Sequence, residues 1–191
     1  MPSSPFILAS QSPRRLQLLQ QMGFNPVCYP VDIDETPLKG ELALDYCQRL
    51  ALEKAQAGWQ QSTKKQAVLG ADTIVVLAET LLGKPSYEAD ALETLMKLSN
   101  QVHQVISAIA LVEGNKIKQD YSISEVHFAT IPKAEALKYI QSQEPMDKAG
   151  SYGIQGYAAR WIKHISGSYS GIMGLPIYQT GKLLSQFGVI E

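Results

Sequence analysis

The segment AVLGADTIVVL (67–77) constrains this chain more than any other stretch. It is apolar at almost every position rather than at alternate ones, the pattern of a strand covered on both faces. Asp72 interrupts it. A carboxylate in such a strand must meet a cation, a metal or several hydrogen-bond donors, because an unpaired buried charge is strongly unfavourable or is neutralised. Two readings follow. Asp72 is either part of a functional site or a strand end that accepts backbone N–H groups from a loop.

The flanking segments supply the rest of the fold. FILAS (6–10) reads as a short buried strand. Ser12 as N-cap and Pro13 at the first helical position then open a helix that Gly23 stops. PVCYPV (26–31) reads as a short edge strand because of its two prolines, and DIDETP as an acidic loop. Leu42 to about Gln61 reads as a helix with Ala43, Tyr46, Leu50, Ala51 and Ala55 along one face. After the Asp72 strand comes a hairpin-like return through Glu79 to LLGKP. A helix capped by Ser86 follows, carrying Leu92, Leu95 and Met96. QVISAIALVEG, a turn at Gly114–Asn115 and the run from Lys116 to about Ile131 form a long antiparallel hairpin. Helices are expected at Ala134–Gln143 and Ile177–Gly188. The glycine-rich stretch between them reads as loops in close approach. Strand–helix alternation followed by a hairpin predicts an α/β fold, a mixed sheet with flanking helices.

A chain of 191 residues suits one domain, with room for two lobes. Its net charge of −1 gives no basic field for nucleic acid or an anionic membrane, so a polyanion must be met by a local cluster. Cys28 and Cys47 form no metal or redox spacing and fit a reducing compartment. The N-terminal run is too short for a signal peptide and no segment reaches membrane-spanning length. The expected location is the cytoplasm.

Three groups of residues carry chemistry. In strand–SQSPRR–helix, a helix N-terminus offers free N–H groups, and Arg14 and Arg15 can grip phosphate oxygens. Arginines in a first turn oppose the helix dipole, which favours a ligand over a merely solvated helix start. Lys54 continues the Tyr46–Leu50 stripe at i+4, so it either snorkels at a core edge or enters a pocket. Lys84 closes the strand return. Asp32, Asp34 and Glu35 stand in the acidic loop, and Asp72 with one of them would supply hard oxygen ligands for Mg²⁺. Together these describe a metal-assisted phosphoryl or nucleotidyl site. His103, His127 and His164 lack ligand spacing, and His103 and His127, on strand-like runs, read as hydrogen-bonded structural groups.

The motifs ILASQSPRR, VDIDET, RLALEKA, LGADTIV, GKP, LSNQVHQV, DKAGSYGIQG and GLP, in that order, resemble the Maf family. The resemblance implies one Maf-like domain over 1–191 with two lobes around a central cleft, in a fold of the inosine triphosphatase type. It also implies a hydrolase that cleaves nucleoside triphosphates between the α and β phosphates, using Mg²⁺ or Mn²⁺. By the same resemblance Asp72 is the proton acceptor. Ser10, Arg14, Arg15, Lys54 and Lys84 bind the phosphates, and Glu35 joins Asp72 at the metal. Arg14, Thr73 and Gln155 stand at positions that separate a dTTP/UTP branch from a 7-methyl-GTP branch, and they match the former. A neutral glutamine amide suits a uracil or thymine edge, whereas a carboxylate suits a cationic methylated guanine. The expected partner is a small-molecule nucleotide, with neither nucleic acid nor membrane, and a homodimer stays open. The 7-methyl-GTP activity and a non-catalytic regulator of cell division remain as alternatives. Asn100 stands where the family has glycine and Ser107 where threonine is common, both expected to lie outside the phosphate cluster.

Overall fold

Short apolar runs punctuated by proline and glycine become strands, and the longer amphipathic stretches become helices. The computed structural model describes residues 4–63 and 66–190. β1 (Ile7–Ala9) is buried throughout, and α1 (Pro13–Gln21) follows with Ser12 in the N-cap position. The Ser12 hydroxyl makes no capping bond; its backbone N–H donates instead to Ser10 Oγ (3.1 Å). Gly23 ends the helix at φ +84°, a conformation that favours glycine. β2 (Val27–Cys28) is exposed, as an edge strand between two prolines should be. α2 (Ala43–Gln61) is followed by β3 (Val68–Leu77) and β4 (Thr80–Leu82), which pair antiparallel.

α3 (Glu88–Leu98) begins one residue later than its sequence suggested. Tyr87, not Ser86, is the extended N-cap, and the Ser86 backbone N–H donates to Asp90 Oδ2 (2.9 Å). β5 (Val102–Glu113) and β6 (Lys116–Phe128) form the expected hairpin, and Gly114 takes φ +60° at its turn. α4 (Lys133–Gln141) and α6 (Ile177–Gln186) sit near their expected positions. The glycine-rich stretch holds more regular structure than loops alone. After a 3₁₀ segment at Glu144–Asp147, it contains two more (Ala149–Ser151, Tyr157–Trp161), β7 (Ile162–Ser166) and the short α5 (Tyr169–Met173).

The strands form one mixed sheet in the order β2-β1-β3-β5-β6-β7, with β4 added to β3. β1 is parallel to both neighbours, which the helical crossovers α1 and α2 permit, and β7 is antiparallel to β6. Contacts divide the chain into two compact units. One comprises Met1–Thr73, Ser107–Ser122 and Gly174–Glu191, the other Ile74–Ile106 and Ile123–Met173. In the first unit α2 packs on β1, and Ile7, Ala9 and Val68 are covered by Val31 and Trp59. In the second, α3 packs on α4 over a core that includes Val75, Leu95, Phe128, Tyr139, Tyr152 and Trp161. No helix among the described residues is long and apolar enough to cross a membrane.

Candidate active site

Asp72 lies in the middle of β3, not at its end, so a loop-capping role is ruled out by position. It is 7% exposed. Its cation comes from α2, where Lys54 Nζ donates to Asp72 Oδ1 across 2.7 Å. The same ammonium lies 2.6 Å from Glu35 Oε1. The stripe Tyr46–Leu50–Lys54 thus delivers its lysine to a buried carboxylate rather than to solvent.

A glycine makes that meeting possible. Residues two apart on a strand share a face, so Gly70 and Asp72 look the same way. A Cβ on Gly70 would fall onto the Ala51 carbonyl and lie 2.9 Å from the Ala55 methyl. Without a side chain there, α2 approaches β3 closely enough for Lys54 to span the gap.

Glu35 is itself exposed, but its loop is pinned to α2. Tyr46 Oη donates to the Glu35 carbonyl (2.8 Å), and Arg49 Nη2 donates to the Thr36 carbonyl (3.2 Å). Arg49 also pairs with Glu41 at 2.6 Å, which draws the Glu41 carboxyl down to about 2. Thr36 lowers the carboxyl pKa of exposed Asp34, first through its side-chain hydrogen bond and then through its backbone N–H, which donates to Asp34 Oδ1 (2.9 Å). Asp32 is exposed and lies at the start of this loop.

Arg15, in the first turn of α1, is held by neutral oxygens. Its Nε donates to the Gly174 carbonyl (2.9 Å), Nη1 to Ser10 Oγ (3.0 Å) and Nη2 to Thr73 Oγ1 (3.4 Å). No carboxylate of the described residues pairs with it directly, although Asp72 and Glu35 lie near enough to act on it electrostatically. Desolvation lowers its pKa, yet guanidinium remains protonated. Arg14 is half-buried in the same turn. Arg14, Arg15 and Lys54 thus gather beside Asp72 and Glu35, and cations are what an anionic ligand requires.

Thr73 belongs to the Arg15 network. Its Oγ1 shares a 2.7 Å hydrogen bond with Ser107 Oγ and contacts the Gly174 carbonyl at 3.3 Å. Ser107 therefore lies against the arginine site, not outside it as its sequence position suggested. Gly174, at φ +118°, turns its carbonyl toward Arg15, and the late GLP motif was the only sign of it. Asn100 belongs to the second unit, where its N–H donates to the Ala129 carbonyl (3.0 Å). It adopts φ +58°, a region that asparagine tolerates better than most residues in place of glycine.

Ser10, Arg14, Arg15, Glu35, Lys54, Asp72 and Thr73 all belong to the first unit. Lys84 and Gln155 belong to the second, and both are exposed. Lys84 follows β4, and Gln155 occupies a turn closed by a hydrogen bond from the Gly156 N–H to the Gly153 carbonyl (3.1 Å). Also in this unit, His103 is 1% exposed and bonded through Nε2 to Tyr152 Oη (2.7 Å). It is structural, as its sequence context suggested. His127 and His164 stand opposite each other on β6 and β7.

Among the described residues, no group of three or more His, Cys, Asp or Glu side chains could hold a metal ion. Asp72 and Glu35 nevertheless converge on a single ammonium. Two such carboxylates fit a Mg²⁺ or Mn²⁺ that takes its other ligands from water and phosphate.

A model of the Maf-like protein family matches residues 5–187 of this chain. The chain belongs to the Maf-like family. Among its relatives, the dTTP/UTP pyrophosphatase of Pseudoalteromonas atlantica is 46% identical, over 96% of this chain and 97% of that protein. The dTTP/UTP pyrophosphatase of Shewanella oneidensis is 47% identical, over 96% of this chain and 98% of that one. Of solved structures, the Staphylococcus aureus Ham1 protein superposes with a TM-score of 0.50 at 15% identity, covering 83% of this chain and 80% of that one. That likeness is one of fold. Within the matched span, SPRR supplies Arg15 and GADT supplies Asp72 and Thr73.

Proposed function

We propose that this Maf-like chain is a nucleoside triphosphate pyrophosphatase that converts dTTP and UTP to the monophosphate and pyrophosphate. The observation that carries the reading is the Lys54 ammonium, which bridges buried Asp72 and exposed Glu35 near an arginine held by neutral oxygens. A triphosphate needs such cations, and a carboxylate close by can take a proton from the attacking water. The relatives named dTTP/UTP pyrophosphatase over almost their whole length support the same reading.

In this proposal Asp72 accepts the proton of the water that attacks the α-phosphorus. Arg14, Arg15 and Lys54, with Ser10 as a neutral donor, hold the phosphate oxygens and compensate the charge on the leaving pyrophosphate. When phosphate enters, Lys54 exchanges its exposed partner Glu35 for the incoming oxygens, while its buried pair with Asp72 persists. Asp72 and Glu35 would hold a Mg²⁺ or Mn²⁺, which supplies charge neutralisation and a more acidic water. Lys84 is assigned to the phosphates, and Gln155 and Thr73 to the choice of base, on the motifs that contain them. A glutamine amide donates to and accepts from uracil or thymine. Residues 1–191 would act as one Maf-like domain, in the cytoplasm, where cysteines that are not joined in a disulfide are at home.

Turnover of a panel of dTTP, UTP, CTP, GTP and 7-methyl-GTP with Mg²⁺, Mn²⁺ or chelator tests this. The expected ranking places dTTP and UTP first, with monophosphate and pyrophosphate as products and no turnover in chelator. Release of orthophosphate, or 7-methyl-GTP ranking first, would contradict it.

A further inference from the structure

The turn that carries Gln155 is built unlike an ordinary surface turn. Ile154 is 6% exposed and enters the core of its unit, while Gln155 next to it is exposed. Glycines stand on both sides of the pair. The Gly153 N–H donates to Tyr139 Oη (3.2 Å), and Tyr139 Oη donates to Glu144 Oε1 (2.9 Å). The other carboxylate oxygen, Glu144 Oε2, lies 3.5 Å from the Tyr157 N–H, just past the turn. One tyrosine hydroxyl and one carboxylate therefore touch backbone N–H groups before and after Gln155.

Both glycines make room for that carboxylate. A Cβ on Gly156 would fall onto Glu144 Oε1, and a Cβ on Gly153 would lie 3.1 Å from it. Tyr139 is 2% exposed, stacks on Tyr157 with centroids 5.6 Å apart and meets Trp161 edge-on at 5.5 Å. Lys148 Nζ donates to the Glu144 carbonyl, which fixes the backbone that presents the carboxylate. A hydroxyl buried this deeply, with its donor and acceptor both engaged, leaves the turn a single arrangement.

We propose that Tyr139 and Glu144 are positioning residues for base selection, clamping the Gly153–Gly156 turn so that the Gln155 amide is presented in one fixed place. The inference rests on the reading that Gln155 contacts the base of the nucleotide. Neither Tyr139 nor Glu144 touches substrate; they act through Gln155. An amide that must donate and accept at set points on a pyrimidine edge discriminates only when its backbone is held, since misplacement by an ångström forfeits much of the gain.

The test is the ratio of kcat/KM for UTP to that for 7-methyl-GTP. It is measured on the full chain for the parent, Gln155→Ala, Tyr139→Phe and the double variant. The ratio is independent of the fraction of folded enzyme, so a merely structural role leaves it alone. Tyr139→Phe is expected to lower it roughly tenfold. The double variant is expected to fall no lower than Gln155→Ala. Glu144→Gln keeps the volume and the acceptor for Tyr139 but sets an amide against the Tyr157 N–H; it serves should Tyr139→Phe fail to fold, with a smaller fall in the same direction. An unchanged ratio in Tyr139→Phe and Glu144→Gln, with a fall in Gln155→Ala, would overturn the positioning role and leave the base-reading role standing. An unchanged ratio in Gln155→Ala would overturn the base-reading role and the inference with it. Additive losses in the double variant would overturn action through Gln155.

Discussion

Lys54 Nζ lies 2.7 Å from Asp72 Oδ1, and the two side chains are 12% and 10% exposed. The pair joins a helix to the strand behind it and sets a charge where the strand alone could not carry one. Removing the lysine leaves a carboxylate in an apolar strand without its cation. Lys54→Met is expected to destabilise the chain by about 3 kcal/mol, at the low end for breaking a buried pair because Glu35, the other partner, is exposed. It is also expected to lower kcat/KM for UTP by roughly a hundredfold. Urea denaturation and steady-state kinetics read the two effects separately.

Gly70 governs the distance between the same two elements. Gly70→Ala forces α2 off β3, because the new methyl meets the Ala51 carbonyl and Ala55. The expected cost is about 1–3 kcal/mol, the range for overpacking a tight contact. Activity falls further than that cost explains, since the displaced helix carries Lys54. A variant with parental kcat/KM and a lowered melting temperature would show that the approach matters to folding alone.

His103 makes stability depend on pH. Burial, with a smaller contribution from His127, holds it at about 4, below the ordinary value of 6.5. Between those values the unfolded chain binds a proton that the folded chain does not, so the folded state loses stability as pH falls from 6.5 toward 4. The loss reaches roughly 3 kcal/mol by the lower limit. Its neighbours Tyr152 and Phe128 are uncharged there and cannot offset it. Urea unfolding at pH 7, 6 and 5 should show this slope, and His103→Asn should flatten it. Equal slopes in both proteins would place the titration elsewhere.

Local patterns made much of this molecule legible. The continuous apolar run predicted β3, Ser12–Pro13 and Gly23 bracketed α1, and helical spacing put Lys54 on the face of α2 that meets Asp72. What stayed hidden depends on partners distant along the chain. Arg15 is held by Gly174, 159 residues away, and Thr73 by Ser107, 34 residues away. No periodicity reports such contacts, so Ser107 looked remote from the phosphate site. β7 escaped for a related reason. Its residues are exposed or half-buried, and its strand conformation comes from pairing with β6 rather than from an apolar alternation of its own. Ser86 misled because serine is a common N-cap, whereas here the extended backbone falls at Tyr87.

The most direct measurement is pyrophosphate release from UTP with Mg²⁺ by the parent chain and by Asp72→Asn. The amide fills the same space but cannot take a proton from water. The account predicts UMP and pyrophosphate from the parent, and at least about a hundredfold slower release from the variant. Release by Asp72→Asn at more than half the parental rate would contradict it.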